Sequence, residues 1–100
     1  MDAKRVHFHP AARAEYAAAL DWYQARSAVA AARFADEITQ AIATIAEAPH
    51  RWPKHVHGAR KFPLHVFPFI VIYRERLDAI QVLAVAHGHR RPDYWKDRVP

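Results

Sequence analysis

One hundred residues suffice for one domain with its own core, and the absence of cysteine excludes disulfides, thiolate metal sites and a cysteine nucleophile. That composition suits a reducing cytoplasm. No apolar run approaches the length of about 18 residues that a membrane span needs, and the opening MDAKRVHFHP lacks the apolar core of a signal peptide. The formal charge of +5 is unevenly spread: residues 1–50 carry five Lys/Arg against six Asp/Glu, and residues 51–100 carry ten against four. A basic half implies a polyanionic partner, either nucleic acid or an acidic protein.

Arg5-Val6-His7-Phe8 alternates as a short strand does, with Val6 and Phe8 on one face. Pro10 fits the first turn of a helix, where its missing N–H is harmless. The Ala-rich stretch that follows predicts a helix from Pro10 to Arg26, with Tyr16, Leu20 and Tyr23 as its apolar stripe. Arg13, Glu15, Asp21 and Gln24 are expected to face water. Ser27 is a natural N-cap for a second helix, Ala28 to Glu47, whose Phe34, Ile38, Ile42 and Ile45 recur on one face. Pro49 ends it, and His50–Gly58 reads as a loop. The small Ala side chains let the two helices approach closely as an antiparallel hairpin.

Arg60–Val66 alternates as a half-buried strand, with Pro63 pushing it toward a sheet edge. Two apolar runs follow, Phe67–Tyr73 and Ile80–Ala86, separated by the charged segment Arg74–Asp78. They predict a hairpin of central strands. The second run ends in His87-Gly88-His89-Arg90-Arg91-Pro92-Asp93-Tyr94-Trp95, so a strand delivers His, Arg and aromatic groups to one edge. The expected architecture is α+β, in the order β-α-α-β-β-β. A helical hairpin packs on one face of a small, mainly antiparallel sheet, in a single domain over residues 1–100. Phe34, Ile38, Ile42 and Ile45 should meet Ile70, Ile72, Val82 and Val85 or their immediate neighbours.

This order resembles the RelE/ParE superfamily of toxin–antitoxin toxins. The words that carry the resemblance are Phe8-His9-Pro10-Ala11-Ala12 leading to Glu15, then Trp22-Tyr23, Phe34 with Glu37, Ile45 and Pro49. They continue with Arg60, Phe62-Pro63, Phe67-Pro68-Phe69, Ile72-Tyr73-Arg74 and Val85-Ala86-His87, and end with Arg90, Arg91 and Tyr94-Trp95. The resemblance implies a small cytoplasmic prokaryotic toxin neutralised by a cognate antitoxin. RelE-like members cut mRNA on the ribosome and ParE-like members poison DNA gyrase. The ending AHGHRRPDYW looks closer to the ParE-like, plasmid-stabilisation branch.

For a ribonuclease the candidate catalytic set is His87, Arg90, Arg60, Arg74 and Tyr94. His87 would exchange a proton near neutral pH, and the arginines would hold phosphate oxygens. The alternative is that these groups are structural or dock acidic groups of the antitoxin. In the ribonuclease pattern a further aromatic residue would stand where Gly88 does. The pairs His7/His9, His55/His57 and His87/His89 have chelating spacing on strands, but no carboxylate sits at ligand spacing, so no metal or cofactor is expected. Trp22, Arg60, Lys61, His65, Arg90, Arg91, Tyr94 and Trp95 are the candidate partner-binding residues, being Arg, aromatic and basic types at predicted edges. The reading favoured is a ParE-like toxin acting on DNA gyrase by protein binding, in a hetero-oligomer with an acidic, amphipathic antitoxin and with no membrane contact. A RelE-like ribosome-dependent mRNA endoribonuclease and a non-toxic binding module of the same fold are the alternatives.

Overall fold

A computed structural model describes residues 4–99. β1 (Arg5–Phe8) leads into α1 (Pro10–Gln24) and α2 (Ala28–Glu47), and β2 (Arg60–Pro63), β3 (Phe69–Glu75) and β4 (Ala79–His87) follow. The sheet order is β1-β4-β3-β2, with β1 parallel to β4 and the other pairs antiparallel. The two most apolar strands are the central ones, as expected of strands buried on both faces.

Local chemistry sets the helix boundaries. Pro10 opens α1, and the His9 ring accepts a hydrogen bond from the Ala11 amide through Nδ1 at 3.0 Å. The Ser27 hydroxyl caps α2 by accepting from the Ala30 amide at 3.1 Å. α1 ends two residues before the predicted Arg26. There the Arg26 and Ser27 amides both fold back onto the Tyr23 carbonyl to make the turn.

Phe34, Ile38 and Ile45 of α2 are buried against Val71, Tyr73, Ile80, Val82 and Val85, while Ile42 is half-buried at the margin. The expected partners Val82 and Val85 are there. Ile70 and Ile72 are not: they point to the opposite face, and Val71 and Tyr73 take their places. The reason is a register shift at Ile72/Tyr73, where Ile72 pairs with Ala84 but Tyr73 pairs with Val82. Leu83 is the extra residue of a β-bulge. Val82 and Val85 therefore both face the helices, while Leu83 and Ala84 both face away. The outer face does not stay open, because Trp95 folds back over Ile72, Leu83, Ala84 and Ala86 and is itself 1% exposed.

β2 stops at Pro63, three residues before the predicted end, and β3 starts at Phe69 rather than Phe67. The hairpin closes with the Leu64 amide donating to the Phe69 carbonyl at 2.9 Å. Within the loop the His65, Val66 and Phe67 amides turn to the Glu37 carboxylate on α2 instead of joining a ladder. The loop lays Phe67 and Phe69 against Tyr23 and Phe34, with ring centroids 5.0 to 6.4 Å apart. The Tyr73 hydroxyl ties the sheet to the end of α2 by donating to the Pro49 carbonyl at 2.6 Å.

Truncation along the α2 stripe should report this packing. Ile45→Ala, at a site with no exposed area, should lower unfolding free energy by about 2–5 kcal/mol. Ile42→Ala should cost distinctly less, because its side chain already meets solvent. Urea denaturation of both variants measures the difference, and equal losses would contradict the assigned helix face.

Candidate partner-binding site

β1 cannot follow β4 to its end. Its last contacts are Phe8 opposite Val82 and the His9 amide donating to the Val82 carbonyl at 2.8 Å, after which Pro10 starts α1. β4 runs on to His87 with no strand on that side. A strand edge left this way carries main-chain groups that need partners. Glu15, on the second turn of α1, supplies one by accepting from the Val85 amide at 3.0 Å. The Arg98 guanidinium supplies another by donating to the Leu83 carbonyl at 2.9 Å.

The same carboxylate gathers the C-terminal segment. It accepts from the Tyr94 hydroxyl at 2.7 Å and from Arg98 at 2.9 and 3.0 Å. Burial pushes the Glu15 carboxyl up, but hydrogen bonds from Arg98, Tyr94 and the Val85 amide outweigh it and hold it below the usual value. Tyr94 is driven well above the ordinary phenol range by burial and by its bond to Glu15. Arg98 is held up mainly by its hydrogen bond to Glu15. Glu15 was expected to face water; it is half-buried and joins α1, β4 and the tail. Sequence gave little sign of this, because its partners lie 70 to 83 residues away. A second tie holds the tail, His55 Nε2 to Asp93 Oδ1 at 2.9 Å, with Asp93 in the left-handed region at φ 59°.

Beyond Glu15 lies a groove of about 500 Å³, between α1 and the ends of β3 and β4. Ala18, Ala19 and Val85 form its apolar floor, and Tyr23 and Phe69 close one end. Trp22 stands at the rim, 53% exposed, with the Arg26 guanidinium 3.8 Å from its ring centroid. His87 and Arg90 form the other rim. The His87 ring meets Phe69 edge-on and stacks on His89, each at 5.2 Å, and Arg90 lies 4.0 Å from the Tyr94 ring centroid.

The candidate catalytic residues do not form one site. His87, Arg90 and Tyr94 gather at the end of β4. Arg60 and His87 pair with Tyr73 and Phe69, four residues apart on β3, which is roughly 13 Å along a strand. Arg60 is bound to the Trp52 and His50 carbonyls and lies 3.5 Å from Glu75. Beside it, burial pushes the Tyr73 phenol up to about 12. Arg74 donates to Gln81 at 2.9 Å, its own pKa lowered by burial and by neighbouring Arg76.

The candidate partner-binding residues also divide. Trp22 and Arg90 line the groove. Lys61, Arg91 and Tyr94 border a shallow cavity of about 130 Å³ on the outer face of the sheet. His65 is exposed in the β2–β3 loop, and Arg60 is largely covered, with 13% of its side chain exposed. Trp95 is a correction: it is core, because its indole plugs the outer face of the sheet. Ala18, Ala19 and Val85 were missed, since small apolar residues in an Ala-rich helix and an apolar strand look like ordinary packing. Among the described residues no three His, Asp or Glu side chains converge as a metal site, and no helix is long and apolar enough to cross a membrane.

The pKa direction of Glu15 fixes a pH dependence. A carboxyl held below its unfolded value stabilises the fold at neutral pH, and that contribution is lost as pH falls from about 4.5 through the lowered native value. Glu15→Gln should flatten the acid limb of stability against pH and cost about 1–3 kcal/mol at pH 7. Urea midpoints between pH 3 and 7 test this, and an unchanged acid limb would show that Glu15 carries no such load.

Residues 6–92 match the family described as ParE toxin of type II toxin-antitoxin system, parDE. Among curated proteins, none is similar enough in sequence to count as a match. Among solved structures, the chain superposes with a TM-score of 0.73 on a chain of the chromosomal ParDE TA system from P. aeruginosa. That pair is 20% identical, and the match covers 84% of this chain and 95% of the other. The likeness agrees with the fold described above, two helices on a four-stranded mixed sheet. The family match spans most of the sequence, from β1 into the tail, and the chain therefore belongs to the ParE toxin family of type II toxin–antitoxin systems.

Proposed function

We propose that this protein arrests growth by binding DNA gyrase, and that a cognate antitoxin with an acidic segment holds it inactive in a cytoplasmic hetero-oligomer. The observation that carries the choice of protein binding over RNA cleavage is the dispersal of the candidate catalytic groups. Arg60 and Arg74 are engaged away from His87 and Arg90, in hydrogen bonds to carbonyls and to Gln81. Phosphodiester cleavage needs an acid, a base and cations converging on one phosphate. The antitoxin half of the proposal is supported by family membership, by the likeness to a chain of a ParDE system, and by the positive second half of the sequence. Exposed Trp22, Arg90 and Arg91 are residue types that dominate interface energetics. An acidic chain would approach them faster at low salt.

Induction of the chain alone in a bacterial host tests the target. The expected outcome is growth arrest with an induced DNA damage response and intact mRNA, and His87→Ala arrests growth as the wild type does. Ribosome-dependent mRNA cleavage that disappears in His87→Ala would overturn the gyrase reading in favour of the endoribonuclease. Folded, non-arresting protein would leave a binding module of the same fold as the function.

A further inference from the structure

We propose that the groove beside β4 takes an extended segment of an acidic partner as an added strand, paired with Val85 and His87. One bulky apolar side chain of that segment sits over Ala18 and Ala19, and a carboxylate sits beside Arg90. The inference rests on the antitoxin reading above and adds the place and the mode of docking.

The edge is defined by alternation along β4. The Gly88 amide donates to the Pro68 carbonyl at 2.8 Å, and Ala86 pairs with Ile70, so these residues turn their main-chain groups toward β3. Val85 and His87 therefore turn theirs toward the other side, where β1 has already ended. Glu15 occupies the Val85 amide, and the Arg90 amide occupies the His87 carbonyl at 3.0 Å. The Val85 carbonyl and the His87 amide remain, flanking Ala86 on the groove side. In a parallel ladder one residue donates to the carbonyl on one side of its opposite number and accepts from the amide on the other. A residue placed opposite Ala86 satisfies both groups, running in the same sense as β1 and extending its line.

The rest of the groove suits such a segment. Its volume, about 500 Å³, exists because α1 presents Ala18 and Ala19 where larger residues would fill the space. Exposed Trp22 at the rim can close over an inserted side chain. Electrostatics select an acidic chain: Glu15, the one acid lining the groove, is already paired with Arg98 at 2.9 Å. Arg26, Arg90 and His87 then surround the opening without acidic counterparts at the rim. Main-chain pairing supplies affinity in this mode, and the pocket and charge supply specificity.

The test uses the full chain and the protein encoded beside it, titrated against each other by calorimetry at low salt. Ala18 is exposed, so Ala18→Trp fills the groove without entering the core; circular dichroism checks that the variant is folded. Ala18→Trp and Arg90→Glu should each weaken the complex by roughly tenfold or more, as loss of a central anchor does. Exchange of the His87 amide with solvent should slow on complex formation in the wild type. A complex that forms equally well with both variants, with His87 exchange unchanged, overturns the groove and assigns the partner to another face. No association of the wild-type pair overturns the antitoxin reading itself, and this site with it. A stable self-dimer lost in Ala18→Trp makes a second copy of the chain the occupant and overturns the acidic-partner proposal.

Discussion

The rest of the structure depends on one carboxylate. β4 is the longest strand and lies beside β1, which has only four residues before Pro10 forces the chain into α1. An edge exposed where β1 ends would leave buried main-chain groups without partners, each costing on the order of 1–3 kcal/mol. Glu15 closes it from the side, with a side chain in place of a strand. A charged acceptor makes such bonds stronger than neutral ones. The carboxylate tolerates half-burial because every donor it needs converges on it: the Val85 amide, the Tyr94 hydroxyl and the Arg98 guanidinium.

Two consequences follow from closing the edge this way. The tail is drawn across the outer face, where Trp95 seals Leu83, Ala84 and Ala86 from water. A sheet that would otherwise have one wet apolar face gains a second small core. The closure is also local. Glu15 reaches Val85 and no farther, so the strand beyond it keeps main-chain groups on the groove side. A longer β1 would have filled that edge, and larger side chains at Ala18 and Ala19 would have filled the space beside it. The proposed binding behaviour of the protein is thus tied to where the chain stops being a strand.

The sequence made some of this legible. The α2 stripe was readable because Phe34, Ile38 and Ile45 repeat with the helical period, and the caps His9-Pro10 and Ser27 carry their own local chemistry. β3 and β4 were readable as strands, but their faces were not. Both faces are buried, so the runs have no polar alternation from which to assign sides, and the Leu83 bulge shifts the pattern midway. That is why Ile70 and Ile72 were placed on the wrong face. The end of β2 was misjudged because Phe62, Leu64 and Val66 keep alternating after the ladder has stopped; the competitor, Glu37, is on another element. Of the candidate site, the end of β4 with His87 and Arg90 was visible as a cluster of chemistry-bearing residues. The groove was not, since it is made by small residues that bear no chemistry. Glu15 and Trp95 were misread together: each looks exposed in its own segment and is buried only by the other's segment folding back.

Amide hydrogen exchange of the free protein at neutral pH tests the central role of Glu15 most directly, by comparing Val85 with His87. Both amides lie on the same edge of β4, two residues apart, and differ in that only Val85 has the carboxylate. The account predicts that Val85 exchanges only through large-scale opening, while His87 exchanges far faster through local fluctuation. Comparable protection at the two positions, or a Val85 amide that exchanges as freely as His87, would contradict it.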